Sequence, residues 1–175
     1  MAVRLSIDRD LRARVWNELL LQNPDVETAG FLYAAVHETG ASVDFEARDW
    51  LLIPQDGYSL RTDRYLELTD AVRGDVIKRA HDNGHALVEF HSHLDEVPPA
   101  FSHSDRSGFT EFVPYVRWRL KGRPYVAVVV SKAGFDGLAW LGSSECPTRL
   151  DGIVADGEFI ESTGLSLRTL EDCLV

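Results

Sequence analysis

Sulfur is scarce in this chain of 175 residues, which has two cysteines and one methionine. Cys146 and Cys173 form no Cys-x-x-Cys pair, so neither a thiolate zinc site nor a disulfide framework is expected, and both read as ordinary thiols. Long apolar runs are missing too. None approaches the roughly 18 residues that a membrane span requires, and the opening MAVRLSIDRDLRARVW lacks the basic-then-apolar layout of a signal peptide. Positive charge is in short supply: 18 Lys and Arg stand against 28 Asp and Glu, a net charge of -10. Such a balance repels phosphate backbones and anionic bilayers. Nucleic acid and membranes are therefore disfavoured as partners, and a soluble, cytoplasmic protein is expected. The chain also contains no Walker loop, no glycine-rich dinucleotide fingerprint, no Gly-x-Ser-x-Gly elbow and no internal repeat.

What is present suffices for one core. With 45% hydrophobic residues, the chain is long enough to bury a single interior and short for two, so residues 1–175 are expected to form one domain. Leu11, Val15 and Leu19 recur every four residues after Asp8, which predicts an amphipathic helix over 8–22. A hairpin is expected over 30–48, where Val43, Phe45 and Ala47 alternate with polar residues. Leu68, Val72 and Val76 predict a second helix over 63–82, stopped by Asn83-Gly84. HALVEFHSH reads as a strand, Ser102 opens a third helix carrying Phe109, Phe112 and Val113, and PYVAVVV and LAWLG read as paired strands. A short hairpin is expected around Asp156-Gly157, with the rest of the segment beyond 145 unassigned. The class is α/β or α+β, with a mixed sheet flanked by helices. Trp50, Trp118 and Trp140 read as core or interface aromatics.

The stretch EFHSHLDEVPPAFSHSD, residues 89–105, concentrates three of the six histidines beside several carboxylates. On a strand, side chains two apart share a face, so His91 and His93 point the same way while Ala86, Val88 and Phe90 take the opposite, core-facing side. Two imidazoles and one carboxylate form a catalytic zinc set that leaves the fourth position to water. His91, His93 and Asp105 supply it. Structural zinc sites close all four positions, largely with cysteines that this chain does not offer. Glu89 and His103 read as neighbours of the site rather than ligands, and His37, His81 and His85 as exposed residues at turns or element ends. Ser102-x-x-Asp105 is also a helix-capping signal, which is compatible with ligation.

An upstream Glu, then His-Ser-His, then Ser-x-x-Asp resembles the JAMM motif of the MPN metalloproteases. The resemblance covers about residues 5–142 and is sharp at Glu27, His91, Ser92, His93, Ser102 and Asp105. Leu94 stands where the family usually has Pro, and eight residues rather than seven separate His93 from Ser102. The resemblance implies the MPN/JAB, cytidine deaminase-like fold and a Zn2+ cofactor. It implies Glu27 as general base and Ser102 as oxyanion donor, and hydrolysis of the peptide or isopeptide bond after the tail of a ubiquitin-like protein. Small prokaryotic members of the family occur in antiphage defence operons or process sulfur-carrier proteins. Other readings are a metal-free MPN scaffold, or a Ser-His-Asp hydrolase, which chelators would leave active. A cupin would place its glutamate further on than Glu96, and a metal-dependent amidohydrolase barrel would need roughly 250 residues.

Overall fold

The computed structural model of the chain describes residues 1–169. In chain order the elements are β1 (Ala2–Ile7), α1 (Arg9–Trp16) prolonged by a π-helical turn (Asn17–Leu21), β2 (Ala29–Glu38), β3 (Ser42–Leu52), β4 (Tyr58–Arg61), β5 (Leu66–Leu68), α2 (Asp70–Asn83), β6 (Ala86–Ser92), α3 (His103–Arg119), β7 (Tyr125–Ser131), β8 (Gly134–Trp140), β9 (Thr148–Arg149), β10 (Gly152–Ala155) and β11 (Glu158–Glu161). Nine strands form one sheet in the order β11-β10-β1-β3-β2-β6-β7-β8-β9, and β4 with β5 makes a separate ribbon. The sheet is mixed: β6 lies antiparallel to β2 and parallel to β7. The class is therefore α+β, with three α-helices among the described residues.

Side-chain alternation divides the interior into two layers. Val88, Phe90, Val126, Val128 and Val130 pack with Val15 and Leu19 of the first helical segment on one face. Phe31, Tyr33, Leu87, Ala127 and Val129 pack with Val76, Ile77, Val113 and Val116 of α2 and α3 on the other. Central strands covered on both sides must be apolar throughout, and every residue of β7 is buried.

The predicted first helix is present. Asp8 accepts from the Leu11 amide at 2.7 Å, and the last turn loosens to i→i−5 bonding, with Gln22 N donating to Asn17 O at 3.0 Å. The hairpin over 30–48 corresponds to β2 and β3, and the hairpin around Asp156-Gly157 to β10 and β11. The second helix begins later than predicted, at Asp70, where Thr69 caps it by accepting from Val72 N at 3.3 Å. Leu68 belongs to β5 instead. Its neighbours alternate as a strand requires, and the fourfold spacing to Val72 spans a boundary that periodicity cannot see. The stop at Gly84 is as expected, with φ of 71°. β1 was not anticipated. Val3, Leu5 and Ile7 alternate into the core, but its partners β3 and β10 lie far along the chain.

Trp50 and Trp140 are buried, whereas Trp118 is 73% exposed on α3, because its position falls on the outer side of a helix whose core stripe is Phe109, Val113 and Val116. Cys146 is disulfide-bonded rather than a free thiol; Cys173 lies outside the described residues. No helix among the described residues is long and apolar enough to cross a membrane.

Candidate metal centre

His91 is carried near the end of β6, on the face that looks toward α2 and α3. That side is a second core layer as well as the wall of a cleft, so the ring is only 3% exposed. His93 follows just after the strand's last residue, yet its amide donates to Val130 O at 2.8 Å and keeps it tied to β7. Asp105 stands on the first turn of α3. Its Oδ2 accepts from Ser102 N and from Ser102 Oγ, both at 2.7 Å, while Ser102 Oγ accepts from Asp105 N at 3.2 Å. The Ser-x-x-Asp stretch is thus a capping box that simultaneously aims a carboxylate.

The three predicted ligands converge. The two Nε2 atoms of His91 and His93 are 3.3 Å apart, His91 Nε2 is 3.5 Å from Asp105 Oδ1, and His93 Nε2 is 3.3 Å from Asp105 Oδ2. Two imidazole nitrogens and a carboxylate at this separation can share only a cation, a proton or a metal ion. A tetrahedral ion with bonds of about 2.0–2.1 Å holds its ligands roughly 3.3–3.4 Å apart, so the spacing fits a metal. Among the described residues these three form a group that could hold one. Burial works against ionising Asp105, but the charge of His91 and hydrogen bonds from His91, His93 and Ser102 outweigh it, and its carboxyl is held far below the ordinary range. Burial likewise opposes charge on His91, yet Asp105, Glu89 and Glu27 raise its pKa.

Glu27 arrives from the loop before β2. It is 6% exposed, and its Oε1 lies 3.9 Å from His93 Nε2. Burial raises its pKa above 4.5, against the opposing charges of His91 and His93. Its placement depends on residues that sequence reading missed. Glu27 N donates to Thr62 O at 2.8 Å, and Arg61 Nε donates to Glu27 O at 2.8 Å. Next to it, Thr28 N donates to Ser92 Oγ at 2.9 Å, and Ala29 N donates to Tyr58 Oη at 2.8 Å. The ribbon β4–β5 therefore clamps the carboxylate-bearing loop, with the Arg61 guanidinium stacked 4.6 Å from the Tyr58 ring. The alternation Tyr58-Ser59-Leu60-Arg61 followed by the turn residues Thr62-Asp63 was the available signal.

The eight-residue spacer between His93 and Ser102 is pinned from the C-terminal side. Phe101 N donates to Ser166 Oγ at 2.8 Å, and Thr163 Oγ1 donates to Pro99 O at 3.0 Å. Phe101 is buried and its ring lies 5.6 Å from that of His91. His103 is exposed and stands outside the ligand group. A cavity of about 260 Å³ reaches the site, with His91, Asp105, Glu89, Arg73 and Phe112 among its walls.

Neither the models of known protein families nor the curated proteins gave a match to this chain.

Proposed function

We propose that this chain is a zinc-dependent peptidase or isopeptidase of the JAMM/MPN type, with the MPN/JAB fold, that hydrolyses the amide bond after the tail of a ubiquitin-like protein. One observation carries the reading. The convergence of His91, His93 and Asp105 at 3.3–3.5 Å comes with a buried carboxylate, Glu27, standing 3.9 Å from His93 and outside the ligand set. A structural ion would have no use for that fourth group.

The two imidazoles and Asp105 would hold the zinc, which when bound would supply Lewis acidity and lower the pKa of water toward neutrality. Glu27 accepts the proton of the attacking water and returns it to the leaving amine. Its burial favours taking up the proton, which the passage from water to amine requires. The clamp of Arg61, Thr62 and Ser92 holds its backbone and that of Thr28, without occupying the Glu27 carboxylate oxygens. Ser102 holds Asp105 through the capping box; to donate to an oxyanion as well, its hydroxyl turns away from Oδ2. The protein partner is a ubiquitin-like protein or its conjugate, in deconjugation or in precursor processing.

The test is metal analysis of the purified protein beside a Glu27→Gln variant. One zinc per chain in both, with amide hydrolysis of a ubiquitin-like fusion lost in the variant, is the expected result. No transition metal in the untreated protein, or undiminished turnover in Glu27→Gln, refutes it.

A further inference from the structure

The proposed chemistry leaves unused an acid that stands beside the ligands. Glu89 stands two residues before His91 on β6, hence on the same face of the sheet. Its side chain is 15% exposed and His91 is 3% exposed. A carboxylate in such a place is costly unless its oxygens are engaged. The hydroxyl of Tyr125, a residue of β7 with no exposed surface, donates to Glu89 Oε2. Oε1 is turned the other way, 3.9 Å from His91 Nδ1.

The His91 ring therefore has two poles. Its Nε2 faces His93 and Asp105 at 3.3 and 3.5 Å, and its Nδ1 faces Glu89. An imidazole that binds a metal through Nε2 is neutral and carries its proton on Nδ1. A carboxylate opposite Nδ1 selects that tautomer, fixes the ring's rotation and makes Nε2 a better donor, and losing such a partner typically weakens metal binding by about 10–100-fold. Burial pushes the Glu89 carboxyl up, with the charge of His91 and the Tyr125 hydrogen bond opposing it.

We infer that Glu89, anchored by Tyr125, is a positioning residue that orients His91 for metal binding, forming with it a carboxylate–imidazole–metal relay. The inference rests on the metal-centre reading above. It does not depend on what the substrate is. Tyr125 acts one step further out: by engaging Oε2 it leaves Oε1 for the ring. Glutamine is the informative replacement, since it keeps the volume and can still meet Tyr125 and His91 through its NH2 and its oxygen, but it removes the negative charge that favours a proton on Nδ1 and makes Nε2 a better donor.

The experiment is the zinc affinity of wild type, Glu89→Gln, Tyr125→Phe and the double variant, by competition with a chelator. The melting temperature of each metal-free protein checks that the fold survives. Glu89→Gln is expected to bind zinc at least about tenfold more weakly, Tyr125→Phe to weaken binding by less, and the double variant to be no weaker than Glu89→Gln alone. In the zinc-loaded wild type, nitrogen-15 spectra should place a proton on His91 Nδ1 that exchanges faster with solvent in Glu89→Gln. A folded Glu89→Gln protein with wild-type zinc affinity overturns the inference and leaves the function reading standing. A wild type that binds no zinc overturns both.

Discussion

Asp136 offers the sharpest stability test, because its carboxylate is 1% exposed and, among the described residues, is held by backbone donors. Oδ1 accepts from Gly137 N at 2.9 Å and Gly164 N at 2.8 Å, and Oδ2 accepts from Ser166 N at 2.7 Å. Replacement by Ala strands three buried donors. At about 1–2 kcal/mol for each unmet group, and with some recovered by relaxation, the expected loss is about 3–5 kcal/mol. Asn keeps the oxygen that serves Gly137 and Gly164 but turns an NH2 toward Ser166 N–H, so about 2 kcal/mol is expected. For a chain of this length each kcal/mol lowers the melting temperature by about 2–4 °C, putting Asp136→Ala roughly 10 °C below wild type. Urea unfolding and thermal melts measure both. The loss should also reach the metal centre, because the segment Asp136 holds, Thr163 to Ser166, in turn fixes Pro99 and Phe101 beside His91. Zinc affinity should fall in the same order, Asn before Ala. Stability within about 0.5 kcal/mol of wild type for Asp136→Ala, the range of an ordinary surface change, would refute this account of the C-terminal segment.

Gly30→Ala should destabilise by about 2–3 kcal/mol, since an added Cβ would meet the Trp50 ring at 2.2 Å. That ring cannot retreat, held by Glu18 at 2.6 Å and by Phe90 edge-on; an unchanged urea midpoint would show that it can. Ser102→Ala should cost about 1 kcal/mol through loss of the helix cap and weaken zinc binding only modestly, because Ser102 N still donates to Asp105; complete loss of zinc would mean the hydroxyl matters more than the cap. Removing metal with a chelator should lower the melting temperature, and restoring zinc should raise it as its concentration rises above Kd; a melting temperature indifferent to zinc would contradict the site. Arg4 lowers the Asp44 pKa below 3.8 by hydrogen bonding. The folded state therefore binds this proton more weakly than the unfolded chain, so the pair's contribution is complete above about pH 4 and fades as pH falls through the folded value. Asp44→Asn should flatten that acid limb in pH-dependent melts; an unaltered limb would count against it.

Local chemistry was legible wherever it lies between near neighbours. His91 and His93 share a strand face by parity, Ser102 and Asp105 share a helix turn by capping, and Asp8 and Gly84 mark helix ends through their own side-chain or backbone preferences. These depend on contacts within about four residues, which a sequence displays directly. The first-turn position of Asp105 followed from the same rule that makes Ser102 a cap.

Tertiary structure alone decided the rest. It brought Glu27 to within 3.9 Å of His93, and it did so through Arg61, Thr62 and Ser92, residues contributed by two separated segments. It gave β1 its partners β3 and β10, and it turned the unassigned C-terminal segment into the strap that sets the His93–Ser102 spacer. It also showed that the face carrying His91 is packed rather than open, which is what leaves Glu89 enclosed beside it. Each of these depends on which distant surfaces meet when the apolar faces of the sheet are covered, and that free energy belongs to the whole chain rather than to any window of it.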